Sequence, residues 1–529
     1  MISGNVFITI NDGQGSIAAV PAASVQAIVG CTSDGTNYSI VASPTPSVFQ
    51  TNDGYGTGVE AAGLCASQGG LALLCKCPQT TAGSCSAVTA TQGTGTSAAT
   101  STLTVSGAPN DDTFVKVLCV TAGAIGSGGA IQVSLDNGRT YGPTIQLPLA
   151  TPATYYIAQT GNLAGSGGVT LSFAAGALYV GNYWTFSTTG PIMSDANVQT
   201  ALNTLAGSQY GVVGWGSTWI AGNVGTSSVA PTGGVHGVDA SVLEGYLDAL
   251  ATNYTYTRAF LSARDASPPA AFGGTGETES AWITSINADY SQVSARRLCV
   301  GAGNWNTPSA FVNASAGTPL YRRNVAWDGA ARMVNLAATG AGGPQTHLGR
   351  VSDGALATIV VNPAVDPLDG FVYHDESQVA GLDYLFSGTG GRFMTTTTRK
   401  KRPGIFITNP LLMSPPGSVF TMLMFGSVID VACAIVYAVG SQLVNSDIRL
   451  NPNGTIFVND ALFIQASLTN AINEDMLAAK MISPGTTAVV DQTNNVQTSG
   501  NVNIAVTIVA RGYVLKETVQ IGYNNGSSA

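Results

Sequence analysis

Val6, Ile8 and Ile10 alternate with Phe7 and Thr9 in the period of a strand, and a Gly/Asp/Asn-rich break follows them. The extended stretch Ser24 to Val29, a Ser/Pro/Thr loop, a helix near Gly58 to Ser67 and the apolar strand Leu71 to Cys77 then predict a strand-helix-strand unit. From about Thr89 to Ser101 the chain is Thr, Ser, Gly and Ala apart from Gln92, a linker composition that marks a domain boundary.

Beyond it the pattern is all β. Leu103/Val105, Phe114 to Val120 and Ile131/Val133/Leu135 lead to Asp136-Asn137-Gly138, where Asn-Gly accepts the positive φ angles of a tight hairpin. Strands at Thr154 to Ala158, Val169 to Phe173 and Tyr179 to Ser187 complete a predicted β-sandwich of about a hundred residues. At Met193 helical spacing takes over. Ser194 is placed to cap a helix bearing Val198, Ala201, Leu202 and Leu205, with a strand at Tyr210 to Ile220. Asp239 opens a second helix with Val242, Leu243, Tyr246, Leu247 and Leu250 inward, before the strand Arg258 to Ala263. A third round places Trp282, Ile283, Ile286 and Tyr290 on one helical face ahead of Leu298 to Val300, and a helix follows at Asn324 to Leu336, so an α/β layer is expected.

The last part predicts a strand at Ile405 to Thr408, a long apolar helix capped by Ser418, and a hairpin-like arm at Gly454 to Asn459. A helix over Asp460 to Lys480 with Ile464, Leu468, Ile472 and Met476 inward, a buried strand Val502 to Val509 and a final alternating strand with Val519, Ile521 and Tyr523 complete it.

Composition changes this picture in one respect. At 529 residues, three or four folding units are expected. Hydrophobic residues make up 45%, yet Asp, Glu, Lys and Arg together make up only 9%, against about 25% in typical domains. A soluble monomer disperses itself with charge, so a chain this poor in charge is expected to hide much of its exterior against other chains. Mean hydropathy is +0.23. The dense apolar run Val419 to Val444 is long enough for a bilayer span, but Asp430 sits in its middle without basic flanks. It reads as a buried helix, with no membrane insertion. The start MISGNVFITINDGQG lacks the basic and long apolar regions of a signal peptide, which predicts residence in the compartment of synthesis. A net charge of −9 argues against nucleic acid as a partner. The basic run Arg399, Lys400, Lys401 and Arg402 is either a solvated loop or a docking patch for an acidic protein surface.

Candidate chemistry is sparse. The eight cysteines read as reduced, small buried hydrophobes. His236, His347 and His374 are too scattered for a metal cluster. GxSxG, HExxH, GxxxxGK[ST] and a complete GxGxxG are all missing. Gly54-Tyr55-Gly56-Thr57-Gly58 reads as a permissive turn, Asp111/Asp112 as a turn, and Glu277/Glu279 as the first turn of a helix. No catalytic residue, cofactor or metal ligand is assigned, and the chain is expected not to be an enzyme.

Both ends resemble the contractile phage tail-sheath family. RPGIFITNPLLMSPPGSVFTMLMFGSVIDVA, GTIFVNDALFIQASLTNAI and VNIAVTIVARGYVLKETVQIGY follow the family's order of strand, long apolar helix, second strand and helix, and closing strands over residues 403 to 524. VFITINDGQGSIAAVPAASVQAIVG and DGYGTGVEAAGLCASQGGLALLCKC look like its opening arm and first core unit, and YWTFSTTGPIMSDANVQTALNTL like the junction after its inserted β domain. The all-β insertion departs from the commonest phage sheaths.

The resemblance implies a multidomain α+β, α/β chain with a discontinuous core: an arm strand at 1–22, core at 23–90, an inserted β-sandwich at 91–191, an inserted α/β domain at 192–399, core again at 400–510, and an arm strand at 511–529. It further implies six-membered rings of this chain stacked helically around an inner tail tube, with baseplate and tail-terminator partners, in a virion tail assembled in the host bacterial cytoplasm or in a related contractile injection system. Val6, Ile8, Ile10, Val519, Ile521 and Tyr523 would pair with neighbouring copies, and Arg399 to Arg402 would touch the tube. Another virion or surface subunit, such as a capsid, tube or adhesin protein, is the alternative.

Overall fold

The computed structural model describes residues 25–34, 36–157, 168–213, 215–225, 233–307, 320–338, 376–399, 402–415, 417–444, 446–477 and 481–511. At its centre is a six-stranded sheet of β1 (Val25–Gly30), β2 (Ile40–Ser43), β3 (Leu71–Lys76), β4 (Ser217–Ala221), β5 (Ala259–Ser262) and β6 (Leu298–Gly301), in the order β6-β5-β4-β1-β3-β2. Every pairing is parallel except β2 with β3. The strands are apolar on both faces because helices cover both, as parallel sheets require. Ala27, Val29, Leu73, Cys75 and Ile220 join one core, with residues of α2 (Asp195–Gly207), α3 (Gly237–Thr252) and α4 (Glu279–Asp289). Ile28, Ala72, Leu74 and Trp219 point the other way, toward α1 (Thr57–Ser67), α5 (Val325–Ala338) and the first half of α6 (Leu423–Leu443).

This sheet also joins segments that the sequence places in different units. Segments 23–90 and 192–399 were assigned to separate units, yet β1 pairs with β3 on one side and β4 on the other. The reason lies in β1, which is buried along nearly its whole length and so needs partners at both edges. Among the described residues, 400–510 adds no strand to this six-stranded order, but Leu412 bridges Cys299 of β6, and Leu423 and Ile429 share a core with Ile28 and Leu74.

The crossing of β1 and α1 depends on glycine. A Cβ on Gly30 would lie 2.5 Å from Gly58 Cα and 2.9 Å from the Ala221 carbonyl oxygen, both backbone atoms that cannot step aside. Gly56, at the helix entrance, has φ 133°, which fits the permissive turn read from the sequence. Gly30→Ala is expected to cost about 1–3 kcal/mol as overpacking; an unchanged urea midpoint would show that the crossing relaxes.

Residues 84–189 form the predicted sandwich. One sheet runs Ile145–Gln146, Ala130–Ser134, Thr113–Thr121, Tyr183–Thr189 and Ser84–Cys85, and the other runs Ala153–Ile157, Val169–Phe173 and Leu103–Gly107. Val117, Ile131, Leu171, Phe173, Trp184 and Phe186 fill the space between them, with Trp184 edge-on to Phe173 at 5.2 Å. Thr89–Thr91, read as linker, pairs with Tyr183–Thr185. Asn137 and Gly138 do have positive φ, but they do not form a two-residue hairpin. Asp136 accepts hydrogen bonds from Ser134 Oγ, Thr140 N and Thr140 Oγ1, and this holds a wider loop before Ile145 pairs with Ile131.

The C-terminal unit has two layers. α6 and α7 (Val458–Ile472) pack on the antiparallel hairpin of β7 (Ile482–Val490) and β8 (Ile504–Ala510). α7 continues as a π turn, Asn473–Leu477, and Ile464, Leu468, Ile472 and Met476 face inward as their spacing predicted. Two expectations differ. Ser418 accepts from Phe420 N in a local turn, and α6 starts only at Leu423. The strand read as buried, Val502 to Val509, is buried on one face only, with Val509 40% exposed.

Candidate assembly site

Asp430 explains how the C-terminal unit is fastened. It sits in the apolar run of α6, where its Oδ2 lies 2.7 Å from Arg258 Nε and its Oδ1 2.9 Å from Arg297 Nη1. Arg258 and Arg297 occupy equivalent positions, each just before a strand of the sheet, β5 and β6. Arg297 also reaches Asp248 Oδ1 at 2.9 Å, and Glu244 accepts from the backbone N–H groups of Arg296 and Arg297. Burial lowers Arg258 to about 10 despite the opposing pull of Asp430. Burial would lower Arg297 too, but Asp430 holds it above its ordinary value. Glu244 is pushed up to about 7 by burial and by Asp248, against the pull of Arg297.

Gly426, one turn before Asp430, leaves room for the Arg258 guanidinium, which a Cβ there would strike. α6 is, among the described residues, one helix long and apolar enough to cross a membrane by length and composition. Its first half is covered by protein, and the charge in its middle is matched by the two arginines.

A second buried network ties the sandwich to the sheet. Arg323 meets Glu60 of α1 at 2.5 Å and Asp111 of the sandwich at 2.6 Å, with its guanidinium 4.5 Å from the Trp327 ring centroid. The adjoining cavity, about 80 Å3, lies at the carboxyl ends of β4 and β5 and includes Asp112, Asn223, Asp265 and Arg322 in its lining. In doubly wound sheets such a crevice commonly receives a ligand. Here its charges meet one another: Arg322 pairs with Asp265 at 2.7 Å, and Asn223 Nδ2 donates to Asp112. Asp112, raised to about 6 by burial and by Asp111, also accepts from Gly190 N. No cluster of three metal-ligating side chains occurs among the described residues. Arg323, bonded to Glu60 and Asp111, ties the sandwich to α1 beside this cavity.

The β7–β8 hairpin offers the chain an edge for assembly. Among the described residues these strands pair only with each other. The outward N–H groups of Ala488 and Val490 on β7 donate to Thr469 Oγ1 and Gln465 Oε1 of α7. Opposite, β8 pairs with β7 along one side, and among the described residues no strand pairs with its other edge.

Val6, Ile8, Ile10, Val519, Ile521 and Tyr523 lie outside the described residues, as do Lys400 and Lys401, His347 and His374. Arg399 ends one strand of a hairpin and Arg402 begins the next, directly paired across it. His236 precedes α3 as its N-cap residue, with Nδ1 3.3 Å from Asp289 Oδ2. In the sequence, Asp430 marks the apolar run as a buried helix without naming its partners. The matching signal, an arginine immediately before each of two short apolar strands, was there to be read beside it.

Fold and joints together describe a mixed α/β multidomain chain with buried ionic couplings. No protein-family model and no curated protein matches the sequence. Among solved structures, the chain is similar to a sheath tail protein of Desulfitobacterium hafniense, at 10% identity and a TM-score of 0.42 over 96% of this chain and 100% of that one. It is similar as well to a sheath tail protein of Listeria innocua, at 10% identity and a TM-score of 0.40 over 94% and 96%. The helical sheath of the anti-feeding prophage in its contracted state gives 9% identity and a TM-score of 0.43 over 99% of both chains.

Proposed function

We propose that the chain is a non-enzymatic structural subunit of a contractile tail sheath, in a phage tail or a related contractile injection system. The observation that carries this reading is the two-stranded β7–β8 sheet. Such a ribbon is marginal by itself, and among the described residues its β8 edge has no strand partner while its inner face is packed. The terminal segments Val6/Ile8/Ile10 and Val519/Ile521/Tyr523 have the alternation that an added strand needs. Each main-chain hydrogen bond of such an addition contributes about 0.5–1.5 kcal/mol, and the sum over many copies makes a mesh. A strand entering on the β7 side would have to displace Gln465 and Thr469. The low charge content fits a surface spent on neighbours.

In this reading copies form hexameric rings stacked helically around an inner tube, between baseplate and terminator proteins, in a virion tail assembled in the host bacterial cytoplasm. Contraction drives the tube through the target envelope. Asn11-Asp12-Gly13-Gln14-Gly15 and Arg511-Gly512 supply bendable joints, and Arg399 to Arg402 meet an acidic tube face. The test is to delete residues 1–12 or 516–529 and image the product by negative stain. Wild type is expected to form hollow polymers and both truncations short or no polymers; long sheaths from either truncation would remove the strand exchange. Changing Arg399, Lys400, Lys401 and Arg402 to serine is expected to stop polymerisation on tube while leaving free assembly intact, and unchanged co-assembly with tube would refute the docking role.

A further inference from the structure

The hairpin's second face and the outward side of α7 share an unusual property. Side chains alternate along β7, so that Ala488 and Val490 are buried while Thr487 and Val489 are exposed, and on β8 Ala505, Thr507 and Val509 share the exposed face. Val489 is 55% exposed, and none of these five side chains carries charge. On α7, Ala461, Ile464, Leu468 and Ile472 face the hairpin. The helical period turns Val458, Leu462, Phe463 and Ala466 away from it, with Leu462 51% and Phe463 65% exposed.

Single exposed apolar side chains are ordinary. Two neutral patches on the two outer sides of one small unit are not. Because α7 packs on the inner face of the hairpin, the patches look away from each other and cannot meet within one copy. Between copies they are complementary in kind, an apolar helix stripe and a β-branched sheet face, the pairing that buries such surfaces in layered proteins.

We infer that the outer face of the β7–β8 hairpin docks on the α7 stripe of a second copy of this chain. The contact joins different patches on the two partners, so it is heterologous and propagates from copy to copy, giving a ring or a helix according to its rotation. It rests on the sheath reading for its setting and deepens it: strand addition would lengthen the sheet along its edge, and this contact would cover its face. The sequence Val6-Phe7-Ile8-Thr9-Ile10 agrees, since a strand with apolar residues on both sides suits a sheet covered on both faces.

The full chain tests it through Phe463→Glu and Val489→Glu, each checked for an unchanged melting curve, since both sites are exposed. Sedimentation velocity over a concentration series reads self-association whether or not sheaths form. Each single variant is expected to weaken association about tenfold or more, and Phe463→Lys combined with Val489→Glu in one chain to restore much of it by pairing opposite charges across copies. Association equal to wild type in either single variant would overturn the contact. So would loss in both without recovery in the combined variant, which would point to tube or to the terminal segments as the occupant. A wild type that self-associates through these residues without forming hollow polymers would keep the contact and sink the sheath reading. A strictly monomeric wild type would sink both.

Discussion

Asp430→Ala is expected to destabilise the protein by about 3–5 kcal/mol, because it strands the buried Arg258 guanidinium without its counter-charge and leaves Arg297 only the half-exposed Asp248. Arg258 and Arg297 are each about 1% exposed, so water cannot replace the carboxylate. The loss should fall on the attachment of the C-terminal unit, since α6 is the element that carries Asp430 across. Urea unfolding should then split into two transitions, and protease should cut near the start of α6 before the sheet unfolds. A triple change, Asp430→Leu with Arg258→Met and Arg297→Met, should recover much of the loss, because a buried ion cluster replaced as a whole by apolar groups is often neutral or better. A single Asp430→Ala variant within about 1 kcal/mol of wild type would show that the cluster is solvated or dispensable.

That cluster also shows where sequence reasoning reaches its limit. Local periodicity located the helices: Ser194 accepts from Asn197 N as a cap should, and Trp282 and Ile286 are buried as their spacing predicted. The sandwich's strands were legible from their alternation and turns, though not their pairings: Leu103–Gly107 joins Val169–Phe173 and Thr113–Thr121 joins Tyr183–Thr189 across most of the unit, and the stretch read as linker supplies Thr89–Thr91. Which strands share the central sheet was not legible. β1 and β4 are separated by the whole sandwich, and nothing in either short strand names its partner. Residues 23–90 share a core with 400–510, where Ile28 and Leu74 meet Leu423 and Ile429, and a sheet with 192–399, where β1 pairs with β4. The joint residues were invisible for a related reason. Asp111 and Asp112 read as a turn, and their partners Arg323 and Asn223 lie far along the chain. For the proposed assembly contacts, alternation at the two termini is all that the sequence offers, and the exposed hairpin face depends on how β7 and β8 pack on α7.

Asp328→Asn is expected to remove a pH dependence that the wild type carries between about pH 4 and 8. Asp328 lies in α5, is fully buried, and neither of its carboxylate oxygens accepts a hydrogen bond among the described residues. Burial pushes it from 3.8 to about 8, with Arg332 one turn further on only partly opposing the shift. The sign follows from proton binding. Between these two values the folded state holds a proton that the unfolded state has released. The stabilisation is therefore complete below about pH 4 and is lost as pH rises through 8, at up to about 1.4 kcal/mol per pH unit. At neutral pH and above, the wild type bears the cost of an acid it can neither solvate nor pair well, and the uncharged amide of the variant does not titrate. Urea unfolding at pH 5, 6, 7 and 8 should give a wild-type stability that declines faster than the variant's, the two curves crossing so that Asp328→Asn is the more stable protein at pH 8 by a few kcal/mol. At pH 5 the variant should be equal or slightly worse, since an amide brings one more buried donor than the protonated acid. Parallel curves across this range would mean that the carboxylate is ionised and satisfied in the folded protein. In that case a partner reaches Asp328 in the assembled state or from residues beyond α5, and the helix is held by a charge pair instead of by a buried neutral acid.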